Sequence, residues 1–215
     1  MDSEQYDHWY YTPRGRWIGH CETQLLLGAL KPGPEESLLD VGCGTGFFTR
    51  RMSRRMKNNV IGIDINEKWV RYAHQKDLGR SSYAVADAGA LPFPDAAFDM
   101  VISVAALCFI PDIHTAIRET IRVTRSRFAI GLLNRHSLLW IQKGRNGGRG
   151  AYHGARWHTV REAKSLFSEF PVRNLIVKTA VHIPSGGKIA QWVEFCLPHS
   201  LSTGAFILVS GDVVR

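Results

Sequence analysis

A chain of 215 residues that is 45% hydrophobic is long enough for one domain with an adequate core. It carries 27 Lys and Arg against 19 Asp and Glu, for a formal charge of +8, and no apolar run long enough to cross a bilayer. Its four cysteines, Cys21, Cys43, Cys108 and Cys196, show neither CxxC nor metal-ligand spacing, and the polar, aromatic amino end does not read as a signal peptide. Reduced thiols in a cytoplasmic protein without a metal site are the expectation, and a three-cysteine metalloid site is disfavoured. The positive charge is local. Residues 122–164 hold ten Lys and Arg against one carboxylate, Glu162, so this window contains the whole excess and the rest is close to neutral. One basic segment points to an anion site or a docking face, whereas nonspecific nucleic-acid binding would call for charge spread over the chain.

In chain order, an aromatic segment at 6–15 precedes a helical stretch at 21–30. A strand at 37–41 then runs into Gly42-Cys43-Gly44-Thr45-Gly46 and a helix at 47–56. Strands follow at 60–64, 83–86, 100–104, 128–133, 175–181 and 206–210, with helices at 67–78, 114–124 and 160–170. Apolar strands separated by helices predict a Rossmann-like α/β fold, a seven-stranded mostly parallel sheet covered by helices on both faces. Residues 1–215 read as a single domain, with 1–30 as an amino-terminal cap. Two segments exceed the bare scaffold. The first, 134–159, is basic and glycine-rich and predicts a mobile lid at the rim of the site, against the plainer reading of a solvated connector. The second, 183–203, joins the last two strands.

The turn after the first strand is the decisive feature. Three alternate glycines leave it nearly bare, so backbone can approach a ligand and helix-start amides can face it. A tight strand-to-helix connection explains many such turns, but here the context adds to it. Asp64 ends the second strand roughly twenty residues on, where a carboxylate holds ribose hydroxyls. That separation suits a nicotinamide dinucleotide as well as other adenosine cofactors. Two details decide between them. The turn lacks the later glycine that accompanies a pyrophosphate, and Asp40 just before it repels phosphate but pairs with an ammonium. A ribose and an amino acid without phosphate describe S-adenosylmethionine.

With these residues in place, the chain resembles the class I S-adenosylmethionine-dependent methyltransferases, and within them the type 11 family that includes ubiquinone and menaquinone C-methyltransferases. Leu39 to Gly46 looks like the first motif, Gly62-Ile63-Asp64-Ile65 the second, Ala86 to Asp95 the third, and Phe98 to Ser103 the fourth strand. The resemblance implies S-adenosyl-L-methionine as cofactor and S-adenosyl-L-homocysteine as product. It implies cofactor contacts from Asp40, Gly42, Cys43, Gly44, Thr45, Gly46, Asp64, Ile65, Asp87, Ala88 and Ser103. Asp87 would accept from the adenine amino group, and Ser103 would lie beside the methionine end. Tyr6-Asp7-His8-Trp9-Tyr10-Tyr11-Thr12-Pro13-Arg14-Gly15 is similar to the family's opening, which would set Tyr10 near the sulfonium, where an electron-rich ring suits a cation. For Trp9 and Tyr11, docking of the first helix is an equal reading. One departure stands out. Many relatives have a histidine after the fourth strand, where this chain reads Ala105-Ala106-Leu107-Cys108-Phe109-Ile110.

Methyl transfer from a sulfonium needs mainly positioning and exclusion of water, with a base only when the acceptor must lose a proton. The candidates are His153, His158, Tyr10 and Glu194, each with an ordinary structural role as its alternative. Arg145, Arg149 and Arg156, with Trp157 and Cys108, are candidates for the acceptor side, since guanidinium forks suit carboxylates and phosphates. The expected acceptor is a small anionic or aromatic molecule, and the basic segment could also meet an anionic surface or carrier. An RNA methyltransferase is the alternative, against which stands Ile102-Ser103-Val104-Ala105-Ala106 in place of an Asn/Asp-Pro-Pro-aromatic signature. A non-catalytic S-adenosylmethionine-binding protein is the third reading.

Overall fold

The computed structural model describes residues 2–57 and 59–215; Met1, part of the expected cap, lies outside them. Seven strands form one sheet in the order β3-β2-β1-β4-β5-β7-β6. These are β1 (Leu38–Val41), β2 (Val60–Asp64), β3 (Ser82–Val85), β4 (Phe98–Val104), β5 (Thr124–Leu133), β6 (Val172–Ala180) and β7 (Phe206–Val213). The first five are mutually parallel, and β7 pairs antiparallel with both β5 and β6. The expected mostly parallel sheet is therefore present. The central strands are apolar because both faces are covered: Leu38, Leu39, Met100, Ile102, Phe128 and Ile130 are fully or almost fully buried.

The helices are α1 (Ser3–Trp9), α2 (Pro13–Leu30), α3 (Phe47–Ser53), α4 (Glu67–Asp77), α5 (Ile113–Val123), α6 (Val160–Ser165) and α7 (Lys188–Cys196). Two of these were not foreseen, α1 and α7, and α2 starts earlier than expected. Its start is well signalled, with Pro13 in the first turn and the Thr12 side chain accepting from the Gly15 amide at 3.1 Å. α6 is shorter than the expected 160–170, because its capping box (Thr159 with Glu162) supports one turn before the chain turns toward β6.

Strand order fixes the place of the site. The chain runs outward from β1 through β2 to β3, then returns to β4 on the other side of β1, so a crevice opens beyond the carboxyl ends of β1 and β4. The amino-terminal helices cover it. Asp7 of α1 is buried and pairs with Arg50 of α3 at 2.6 Å, and Arg50 also donates to the Thr45 carbonyl in the glycine turn. Tyr10 stacks on Phe47 with ring centroids 3.6 Å apart. Gly19 of α2 makes this possible, since a Cβ there would lie 2.6 Å from the Phe47 ring.

Removing Asp7 strands the Arg50 guanidinium, and losing one partner of a buried pair costs roughly 3–5 kcal/mol. The Asp7→Ala variant is expected to lose about that much stability in urea unfolding. Asp2→Ala, an exposed helix cap at the same end, is expected to lose only about 1 kcal/mol.

Candidate active site

The crevice holds a cavity of about 770 Å³, within the range of pockets that enclose small ligands. Four strand ends build it. After β1 come Gly42, Cys43, Gly44 and Thr45; Asp64 and Ile65 follow at the end of β2, Ala86 to Ala90 after β3, and Val104, Ala105 and Ala106 after β4. Tyr6 and Tyr10 close the amino-terminal side.

Gly42 shows why this turn must be bare. It has φ +73°, and a Cβ on it would lie 2.2 Å from the Ala106 side chain, across the switch point. The turn is tied to the neighbouring strand end: the Gly44 amide donates to Asp64 Oδ2 at 2.8 Å, and the Asn66 amide donates to Oδ1 at 2.9 Å. Ala105 is a second constrained position, with φ +59° in a cavity-lining residue. A non-glycine in that region stores strain, held here by its amide's bond to Gly131.

Asp40 is the electrostatic centre. It is 1% exposed yet borders the cavity, and it accepts a 2.6 Å hydrogen bond from Thr49 Oγ1. Burial pushes its carboxyl up to about 7, against the lowering effect of Thr49. Among the described residues no cation pairs with it. Asp87 is exposed, with Oδ1 taken by the Gly89 amide at 2.8 Å.

Of the expected cofactor residues, Tyr10, Asp40, Gly42, Cys43, Gly44, Thr45, Asp64, Ile65, Asp87 and Ala88 all line the cavity. Gly46 and Ser103 do not. Gly46 faces Tyr83 and Ala73, so its lack of a side chain lets α4 and β3 pack. Ser103 is fully buried within β4 with its hydroxyl unpartnered, and the cavity wall there is Val104 to Ala106.

The expected catalytic and acceptor residues mostly lie elsewhere. Glu194, on α7, is buried and accepts from the Val181 and His182 amides at 2.8 and 2.9 Å, clamping the helix to the end of β6. His158 is held through its backbone to Leu133 and Arg135, and burial lowers its pKa. His153, Arg145, Arg149 and Arg156 are exposed, and none lines the cavity. Burial raises Tyr10 well above the usual tyrosine value, so its hydroxyl stays protonated. Cys108 is fully buried, and its sulfur accepts from the Leu133 amide.

Segment 134–159 is packed where a mobile loop was expected. Leu139 and Trp157 are buried, Tyr152 lies against Trp157, and Arg145 sits over Trp140. Only Ala151 of this segment reaches the cavity. Its aromatic residues anchor what its glycines suggested was loose. Part of the basic excess is also neutralised from outside the 122–164 window, where Arg122 pairs with Glu119 and Asp95, Arg125 with Asp99 and Arg127 with Glu36, while Arg135 pairs with Glu162 within it.

Several lining residues escaped the sequence reading, among them Trp69, Phe48, Phe109 and Thr115. Trp69 was readable as the first-turn residue after the Asn66 helix cap, and it lies 4.9 Å from the Tyr6 ring. Glu22 was also missed. It is half-buried near Tyr6, Tyr10 and Tyr152, and burial lifts its carboxyl to about 8.

Residues 39–128 match the family described as methyltransferase domain, type 11. The chain is 35% identical over 138 residues to 27-O-demethylrifamycin SV methyltransferase of Amycolatopsis mediterranei, covering 60% of this chain and 51% of that protein. It is 35% identical over 133 residues to malonyl-[acyl-carrier protein] O-methyltransferase of Erwinia pyrifoliae, covering 59% and 50%. The chain thus spans about half the length of the curated relatives it matches. A solved structure from Thermotoga maritima, described as a SAM-dependent methyltransferase and possible histamine N-methyltransferase, superposes with a TM-score of 0.78. Its identity is 23%, and the match covers 98% of this chain and 96% of that one. Fold and strand order are those of the class I S-adenosylmethionine-dependent methyltransferases. The sequence likeness to the type 11 methyltransferase domain is carried by residues 39–128, less than half of the chain.

The Gly42→Ala variant is expected to close the crevice by driving its methyl group into Ala106. Calorimetry with S-adenosylhomocysteine is expected to show no binding. Gly28→Ala, where a Cβ meets nothing within 4 Å, is expected to bind as the parent does.

Proposed function

We propose that this protein transfers a methyl group from S-adenosylmethionine to a small-molecule acceptor, anionic or aromatic, and releases S-adenosylhomocysteine. The observation that supports this most directly is Asp40, a carboxyl sealed from water without a cation beside it, at the edge of a cavity walled by a bare glycine turn. A cofactor ammonium supplies the missing charge. In this reading Asp64 meets the ribose hydroxyls, Asp87 and Ala88 the adenine, and Tyr10 the sulfonium, whose charge suits a ring face; all four line the cavity. When bound, the cofactor supplies an already activated methyl group. The chain's own task is to position the acceptor and exclude water, which Tyr6 and Tyr10 of the amino-terminal cap serve, with Phe47 of α3 stacked against Tyr10.

Phe48, Phe109, Ala106 and Ala151 give an apolar and aromatic part of the remaining wall, with Asp112 and Thr115 beside them, and favour a flat acceptor. Segment 134–159 works as a packed rim in this reading, and its unpaired arginines draw anionic acceptors toward the mouth without touching them inside. A carrier-bound acceptor is compatible with that rim. The absence of a disulfide among the described residues accords with a cytoplasmic setting.

Calorimetry with S-adenosylhomocysteine, beside NAD, tests the reading. Micromolar binding of S-adenosylhomocysteine alone is expected, weakened roughly 10- to 100-fold in Asp64→Ala, the loss of hydrogen bonds to a charged group. Binding of NAD instead, or of neither, would falsify it.

Asp40 adds a pH dependence. Its folded pKa is raised to about 7, so ionisation, and with it attraction for the ammonium, develops as pH rises through about 7. Affinity for S-adenosylhomocysteine is expected to tighten severalfold between about pH 6 and about pH 8. In Asp40→Asn it is expected to be weaker and flat over the same range.

A further inference from the structure

The least expected surface of this molecule is the outer face of α7. Ile189, Trp192 and Phe195 are 76%, 67% and 89% exposed, while Ala190 and Glu194 on the other face are buried. Spacings of three residues place the three large side chains along one side of the helix. Such a stripe left in water is costly and marks an interaction site.

Topology sets this helix at the rim of the active site. β6 runs parallel to β5, because both are antiparallel to β7, so the chain leaving β6 emerges at the same edge of the sheet as the cavity. Segment 134–159 leaves β5 at that edge too. It exposes Leu138 and Ile141, at 46% and 51%. It also exposes Lys143, Arg145, Arg149 and Arg156, none of which has a carboxylate partner among the described residues. The two segments meet around Arg14, which lies against Gly186 and influences Tyr152. Phe109 and Ala151 line the cavity itself at this mouth.

We propose that this rim docks on an anionic lipid surface, with α7 lying in the interface and the cations of segment 134–159 among the headgroups. The chemistry favours this occupant over others. A short helix with an aromatic and aliphatic stripe, beginning at Lys188, suits the boundary between headgroups and acyl chains. Separate cations around it suit a diffuse negative surface. A second copy on the same face would set like charges against each other. The cavity then opens toward the bilayer, and acceptors of moderate lipid solubility reach it from there.

Flotation of the full chain with vesicles tests this. About tenfold more protein is expected to float with vesicles of phosphatidylglycerol and phosphatidylcholine than with phosphatidylcholine alone, and the excess is expected to vanish in high salt. The Trp192→Ser/Phe195→Ser variant and the Arg145→Gln/Arg149→Gln variant are each expected to lose most of it. Unchanged affinity for S-adenosylhomocysteine shows that both variants are folded and keeps this test apart from that of the proposed reaction. Equal flotation with both vesicle types, none at all, or flotation that survives both variants overturns the proposal. So does a dimer in sedimentation that the Trp192→Ser/Phe195→Ser variant dissolves.

Discussion

A carboxyl held out of water at the end of β1 is the constraint around which the rest is arranged. Asp40 is paired across the sheet with Gly62 and Ile102, so its position is set by the two central parallel ladders. Its one strong hydrogen bond comes from Thr49, in the first turn of α3 just after the glycine turn. That bond relieves only part of the cost of burial. A sheet centre of this kind tolerates an acid only at the strand end, where the crevice leaves one side open to an ionic partner. The switch in strand order provides that crevice, and the clash awaiting any Cβ on Gly42 shows how little room remains at its floor.

The scaffold was legible because its signals are local and redundant. β1, β2 and β4 are mostly apolar, as strands covered on both faces must be, and each has a polar residue (Asp40, Asp64, Ser103) at or next to its carboxyl end. The elements that were missed have weaker signals. α1 is seven residues of mixed polarity, and it is ordered by contacts distant in sequence, Asp7 with Arg50 and Tyr10 with Phe47. α7 is capped by Gly187 without any side-chain bond, and its apolar residues face outward, the reverse of a soluble helix. Periodicity read from sequence gives the stripe but not the side it faces.

The site divides in the same way. Residues at strand ends and turns, taken from spacing and from the motif resemblance, mostly do line the cavity, since position in a motif and position in space coincide there. Gly46 and Ser103 show the limit: a one-residue step along a turn or strand reverses the direction of the side chain. The acceptor side was read from residue type, and that failed for His158 and Glu194. A histidine or glutamate in a long connection is as often needed to satisfy backbone amides, and Glu194 is used for two of them. Glycines misled in segment 134–159 because three aromatic anchors, which look like candidates for function, are what hold it down.

Stability and activity are coupled through the same few groups. The cap is fastened by one buried ion pair and one stacked aromatic pair, both of which end on α3, the helix that also supplies Thr49 to Asp40. A ligand that brings a cation to Asp40 offsets part of the cost of burying that carboxyl. By mass action a ligand at a hundred times its dissociation constant adds about 2.7 kcal/mol to stability, a large share of what a domain of this size has. The strained Ala105 and the bare turn opposite it are sustainable because the surrounding parallel ladders leave neither position an alternative.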